Sequence, residues 1–253
     1  MKIAICLSGQ PRTWEKCYPQ WMDIFKDQGE IDFFFHFWDY NTLPSILRTV
    51  NGHRELKDEL LTENEQQHII ETLAPKKFLF EGRKPIVYWN STLPDDKQFG
   101  GWTKEQFYSL YYVSHLKRSY EVEHNFQYDV VIRMRADLWF DHKHELISPA
   151  PNTVYTGHCG VDSTFNTYRV GDVFYYADSP TFDQMALFYK FLSLVPTNWV
   201  TSADECPPPE IALFFYMTNI NVINHPTYTS LKVMRDSRVE AIQGYLSPYE
   251  ISS

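Results

Sequence analysis

With 253 residues, of which 43% are hydrophobic and 17% aromatic, the chain has enough apolar side chains to build a packed core, which excludes a disordered segment. A net charge of −9 excludes a surface that coats nucleic acid, while leaving room for a local basic pocket around a small phosphate ligand. Cys6, Cys17, Cys159 and Cys206 contain no CxxC pair, the chain opens directly on a strand pattern, and its apolar runs are too short to span a bilayer. The expectation is a soluble, cytoplasmic protein with no zinc site, no disulfide framework, no membrane span and no nucleic-acid partner.

The first strand is expected over Lys2 to Leu7, running into the turn Ser8-Gly9-Gln10-Pro11-Arg12 and then a helix around Tyr18 to Lys26, with Pro19 in its first turn. Ile31 to Asp39 is too short and too aromatic for a helix and reads as a buried second strand whose exit is a candidate ligand rim. Residues 54 to 73 read as a helix containing the capping box Thr62-Glu63-Asn64-Glu65 and stopped by Pro75, followed by a short strand from Lys77 to Glu81. Gly82 to Gly101 reads as a mobile loop near a site, and an amphipathic helix follows from Thr103 toward Glu123.

The segment Tyr128 to Asp141 is expected to be a central strand that carries charge where a buried strand should not. Val130, Ile132, Met134, Ala136 and Leu138 share one face, while Val131, Arg133, Arg135 and Asp137 share the other. Desolvated charges of this kind must pair with one another or with a charged ligand, which places an anion or metal site at the strand's carboxyl end. Beyond Pro149 the pattern predicts strands at Thr153 to Gly157 and Asp172 to Tyr176, separated by a polar loop from His158 to Tyr168. A helix from Asp178 to about Val195, a second from Ile211 to Thr218 and a strand from Asn221 to Ile223 complete the reading.

The opening Met1 to Arg12, the strand end His36-Phe37-Trp38-Asp39, the helix segment Phe107 to Tyr111 and the strand Arg133 to Phe140 together resemble a group of small microbial and viral glycosyltransferases with a GT-A-like, nucleotide-sugar-binding fold. The resemblance covers scattered blocks of residues 1 to 180. It implies a single α/β GT-A-like, Rossmann-like domain over residues 1–253, with a mostly parallel central sheet flanked by helices. A nucleotide-binding part would occupy about 1–141 and an acceptor-side part about 142–253. It further implies transfer of a sugar from a nucleoside diphosphate donor to a glycan or other hydroxyl acceptor, with Mn²⁺ or Mg²⁺ held by an acidic motif. Many GT-A enzymes carry Asp-x-Asp where this chain has Arg135-Ala136-Asp137, so one carboxylate stands where two are common.

Roles follow from the chemistry. A pyrophosphate leaving group needs positive charge, from a cation on Asp137 or from Arg133 and Arg135, which otherwise serve as ion-pair partners within the sheet. Backbone N–H groups around Leu7, Ser8 and Gly9 can receive an anion or a base edge, and Arg12 can meet phosphate bidentately, the plainer alternative being a tight turn with a solvated arginine. Asp39 is a candidate for a ribose hydroxyl, whereas His36 reads as a satisfied core histidine. Asp172 and Glu210 compete for the general base, although an acid at a helix start such as Glu210 also complements the dipole. His225 resembles in position the late metal-binding histidine of many GT-A enzymes, and Trp102, after Gly100-Gly101, suits a lid that stacks on a ring. Two other readings compete: a nucleotide-sugar or glycan-binding module without chemistry, and a nucleotidyltransferase, which would be expected to show a richer phosphate loop than Ser8 to Arg12.

Overall fold

The structure, a computed structural model, describes residues 1–43, 49–50, 53–54, 57–82, 101–157, 159–162, 167–192, 209–227, 231–235 and 238–241. In chain order the elements are β1 (Lys2–Gly9), α1 (Trp14–Phe25), β2 (Glu30–Trp38), β3 (Tyr40–Leu43), β4 (Thr49–Val50), β5 (His53–Arg54), β6 (Lys57–Leu60), α2 (Glu63–Leu73) and β7 (Lys77–Glu81). They continue with α3 (Gly101–His124), β8 (Val130–Met134), β9 (Leu138–Phe140), β10 (Thr153–Thr156), β11 (Cys159–Asp162), β12 (Thr167–Val170) and β13 (Phe174–Ala177). The last are α4 (Ser179–Ala186), α5 (Phe188–Leu192), α6 (Pro209–Asn219), β14 (Ile223–Pro226), β15 (Leu231–Arg235) and β16 (Arg238–Ala241).

Seven strands form the central sheet in the order β14-β10-β13-β8-β1-β2-β7. The pairings β8-β1, β1-β2, β2-β7 and β10-β14 are parallel, and only β13 runs against its neighbours. This is the mostly parallel α/β sheet that the sequence predicted. Because β1 and β2 are covered on both faces, they read as continuous apolar runs rather than alternating ones. Ile3, Ile5 and Leu7 point into one core with Trp14, Trp21, Ile69 and Leu73 of α1 and α2. Ala4 and Cys6 point into the other with Phe107, Leu110 and Val113 of α3. The chain leaves β1 toward β2 and β7, then returns through α3 to the opposite side of β1, so the strand order reverses between β1 and β8. Ligands of open α/β sheets bind at such a reversal, outside the carboxyl ends of the strands.

Several expectations are corrected. The first helix begins at Trp14, so Pro19 lies inside it; Pro19 and Glu15 are both exposed, and water can meet the Glu15 carbonyl that loses its N–H partner. The helix expected from residue 54 starts only at the capping box, where Thr62 Oγ1 accepts from the Glu65 N–H at 3.2 Å and Glu65 Oε2 accepts from the Thr62 N–H at 2.7 Å. The extended backbone of a cap residue ends one element as it starts the next, and residues 57–60 instead pair with β3. In place of the polar loop expected at 158–168, β11 pairs antiparallel with β12, which runs on to Val170. The helix after Asp178 is divided into α4 and α5, with the Asp178 cap as expected and its expected end at Val195 outside the described residues. Residues 83–100 of the expected loop also lie outside them. Among the described residues no helix is long and apolar enough to cross a membrane.

His144, after β9, packs among Phe140, Phe174 and Tyr176, and burial lowers its pKa to about 4 from the ordinary 6.5. A neutral imidazole is therefore required by the fold. Its contribution is complete above pH 6.5 and is lost as pH falls from 6.5 toward 4, where the unfolded chain binds the proton first. At pH 4.5 this costs about 2–3 kcal/mol. Urea unfolding at pH 7 and pH 4.5 should show that loss in the wild type and a loss smaller by about that amount in His144→Phe. An undiminished loss in the variant would assign acid sensitivity elsewhere.

Candidate functional site

The carboxyl ends of β1 and β8 flank the reversal of strand order, and the charged residues meet there. β1 closes with Ser8 and Gly9, whose φ of +107° only glycine adopts without strain, and the chain turns through Arg12 at φ +47°. Asn41 stabilises that turn by accepting the Arg12 backbone N–H at 2.7 Å, and Gln10 Oε1 accepts from Arg12 Nε at 3.1 Å. Arg12 Nη1 then donates to Asp137 Oδ2 at 2.7 Å. From the other side of the crevice Arg135 grips the same carboxylate bidentately, Nε to Oδ1 at 2.9 Å and Nη2 to Oδ2 at 2.7 Å.

Asp137 is 1% exposed and its arginine partners are 25% and 19% exposed, so the carboxylate lies beneath a cationic surface that solvent reaches. Burial alone would push the Asp137 carboxyl up, but Arg135 and then Arg12 outweigh it and hold the pKa at about 2. Two guanidiniums against one carboxylate leave a net charge of +1, facing outward. The expected long strand is corrected here. β8 stops at Met134, the Arg135 N–H makes one further bond to the Val173 carbonyl at 3.3 Å, and Ala136-Asp137 form a turn. β9 resumes in a different sheet with β15, anchored to α1 by the Trp21 indole N–H donating to the Leu138 carbonyl at 2.7 Å.

Around this clamp the structure collects several of the predicted residues. Asp39, at the end of β2, has a buried Oδ1 without a donor. Asp172 precedes β13, whose Phe174 pairs with Met134, so it reaches the same edge; Gln106 of α3 donates to its Oδ2 at 2.6 Å. Arg133 lies under α3, fully buried. Ser8 is buried on that face too. Beside Arg12 a cleft of about 310 Å³ opens between α1 and α2, at the lower end of the range for small-ligand pockets. A larger groove, about 760 Å³, runs between α3 and α4 past Tyr111, Arg118 and Gln184, and among the described residues no predicted site residue lines it. The clamp marks the site because the chemistry is there, whatever the relative volumes.

Other predicted residues are placed elsewhere. Leu7 is core, inside a strand paired on both sides. The Gly9 N–H donates to Ser109 Oγ at 2.7 Å and so is not aimed at a ligand. Trp102 falls in the first turn of α3 rather than in a loop, and Glu210 in the first turn of α6; their side chains lie outside the described residues, as does Gly100. His225 is in β14, tilted against Tyr155 with ring centroids 4.9 Å apart. Its register partner chain runs through Tyr155 and Tyr176 to Ile132, three strands from β8, which puts it about 14 Å to the side of that strand.

A divalent cation shared by Asp137 and His225 does not fit this arrangement. Both Asp137 oxygens accept from guanidinium groups, His225 is beyond ligand distance, and no group of three or more His, Cys, Asp or Glu side chains among the described residues has the geometry of a metal site.

Sequence reasoning missed the hydrogen-bonded platform beneath the β1 turn. Ser109 Oγ donates to the His36 carbonyl at 2.7 Å and accepts from Gly9, so His36 Nδ1, 2.9 Å away, donates to it as well. His36 Nε2 faces Glu81 Oε2 at 2.9 Å, and the Tyr108 hydroxyl donates to Glu81 Oε1 at 3.2 Å. His36 is thus the satisfied core histidine that was expected. Gln106 and Ser109, three residues apart on one helix face, were the available signal.

No protein-family model matches the chain, and no curated protein matches it. Among solved structures it is similar to the CTP:phosphocholine cytidylyltransferase of Streptococcus pneumoniae, at 11% identity over 93% of this chain and 94% of that one, with a TM-score of 0.42. It is also similar to a glycosyltransferase involved in glycosylation of the major capsid of PBCV-1, at 8% identity over 90% of this chain and 82% of that one, with a TM-score of 0.39.

Proposed function

We propose that the chain transfers a glycosyl group from a nucleoside diphosphate sugar to a hydroxyl acceptor. The observation that carries this reading is the Arg12–Asp137–Arg135 clamp over the β1/β8 crevice, a cationic surface where a doubly wound sheet receives its ligand. Arg135 spends two of its five N–H groups on Asp137, and its Nη1 is left to face a phosphate oxygen. Asp39 Oδ1, a buried acceptor with no donor, suits a ribose hydroxyl. As the bond between the anomeric carbon and the diphosphate breaks, the two guanidiniums take up the developing charge. The acceptor oxygen bonds the anomeric carbon and passes its proton to Asp172, which Gln106 holds in place.

The same clamp would suit pyrophosphate leaving a nucleoside triphosphate, so product identity decides between the two transferases. A panel of nucleoside diphosphate sugars, with Mn²⁺, Mg²⁺ or EDTA, should give slow release of one nucleoside diphosphate and a matching rise in Tm, both diminished in Arg12→Ala. Pyrophosphate release from a triphosphate would replace this reading with nucleotidyl transfer. Binding without any release would leave a nucleotide-sugar-binding module.

A further inference from the structure

Arg133 presents an electrostatic problem that the clamp does not solve. It is 0% exposed, the penultimate residue of β8, and none of its three guanidinium nitrogens has a hydrogen-bond partner among the described residues. The carboxylate whose charge bears on it most, Asp172, is not within hydrogen-bond distance and is held by Gln106. An ionised group in such surroundings costs several kcal/mol, roughly, unless a counter-charge joins it. Two more orphans surround it. Tyr175 is the direct register partner of Arg133 on β13, and its hydroxyl is buried without a partner. Ser8, one row beyond Cys6 on the other neighbouring strand, has a buried, unpartnered hydroxyl as well. Ser8, Arg133 and Tyr175 come from three adjacent strands and share the α3 face of the sheet.

All three groups can donate, and no acceptor among the described residues meets them. Water would satisfy individual N–H groups but would leave the charge of Arg133 uncompensated. We propose that Ser8, Arg133 and Tyr175 form a second, buried oxyanion site for a carboxylate or phosphate group of the substrate, separate from the diphosphate at Arg12 and Arg135. This rests on the reading of the β1/β8 crevice as the substrate's way in, and it narrows the substrate class: the transferred sugar or its acceptor carries an acidic group. Arg133 lies two residues before Arg135, about 7 Å deeper along the strand, a spacing suited to one ligand bearing two separated anionic groups.

The test uses the full chain and inorganic phosphate and acetate as probes, titrated at ionic strength matched with chloride and followed by Tm and calorimetry. In the Arg12→Ala background, which removes half of the clamp, phosphate or acetate should still raise Tm, and adding Arg133→Met should abolish the rise. Tyr175→Phe, which keeps the ring and deletes one donor, should weaken binding about tenfold. Without any anion, Arg133→Met should melt at least as high as the wild type, with a gain of about 2–4 °C for each kcal/mol of relieved desolvation. A merely structural arginine would give the opposite sign. An equal response to anions in Arg133→Met, no response in the Arg12→Ala background, or a fall in Tm of the anion-free Arg133→Met protein would each overturn the site. Nucleoside diphosphate binding that survives in Arg133→Met would then leave the transferase reading standing, while anion binding at Arg133 without any nucleotide binding would fail that reading alone.

Discussion

Asp137→Asn is expected to lower nucleoside-diphosphate-dependent turnover by about 10²–10³-fold, equivalent to about 3–4 kcal/mol of transition-state stabilisation. The carboxylate touches no substrate in the proposed reaction; it aims Arg12 and Arg135. An amide offers one acceptor oxygen where the wild type offers two, and its NH₂ would confront guanidinium N–H groups, so the bidentate grip of Arg135 cannot be kept together with the bond from Arg12. The clamp residues would then be free to shift, and a misplacement of about 1 Å at a reacting centre can cost about 10²-fold. Their affinity for phosphate should persist, because both cations remain. The kinetic signature is therefore a large fall in kcat with an unchanged or lower KM for the donor, not the rise in KM expected from losing a direct binding contact. Activity of the wild type in EDTA, and failure of Mn²⁺ to restore the variant, would agree with charge stabilisation by arginine. A wild type that is silent in EDTA and revived by Mn²⁺ would show that Asp137 gives up an arginine for a cation, and the clamp would lose its proposed role.

How far such a site can be read from sequence depends on whether its logic is local. β1 and β2 were legible because strands buried on both faces leave unbroken apolar runs, and α2 and α4 because Thr62 and Asp178 cap them through neighbours three residues away. Arg135 and Asp137 could be singled out because charge in a central strand is anomalous. Their partnership with Arg12 could not, because it joins residues 125 positions apart and depends on where β1 and β8 fall in the sheet. The alternation that extended the strand to Asp141 failed for the same reason: the two-residue pattern continues in the sequence, but the ion pair and the departure of the chain toward β9 end the ladder. Residues 57–60 have a composition that suits a helix, and pairing with β3 overrides it. Tyr175 becomes noticeable only through strand register, which sets it opposite Arg133, and Ser8, singled out in the sequence for its backbone N–H, shows its buried, unpartnered hydroxyl only in the packed sheet.

Lys117→Met should destabilise the protein by about 3–5 kcal/mol, a fall in Tm of about 10–15 °C for a chain of this size. Lys117 is a fully buried lysine in the C-terminal half of α3, 3.0 Å from Glu121 Oε2 and 2.9 Å from Asp183 Oδ1, and it donates to Ser179 at the start of α4. Ser179 in turn donates to Glu121 Oε1 at 2.7 Å, the same oxygen that accepts the Tyr128 N–H, and Ser114 donates to Asp183. One cation thus satisfies two carboxylates that tie α3 to α4 and to the chain entering β8. Methionine fills a similar volume but leaves both carboxylates without a counter-charge, and the desolvation cost of those survivors dominates the loss. A double-mutant cycle with Asp183→Asn should recover part of it, because removing a second charge leaves less to strand. Lys117 lies about 12 Å along α3 from Ser109 and farther from Gln106, which makes the helix a rigid strut between this network and the platform under the β1 turn. Chemical denaturation that shows a loss below about 1 kcal/mol would mean that water already solvates the three charges, and α3 would then owe its position to the packing of Phe107, Leu110 and Val113 and to the bonds of Gln106 and Ser109.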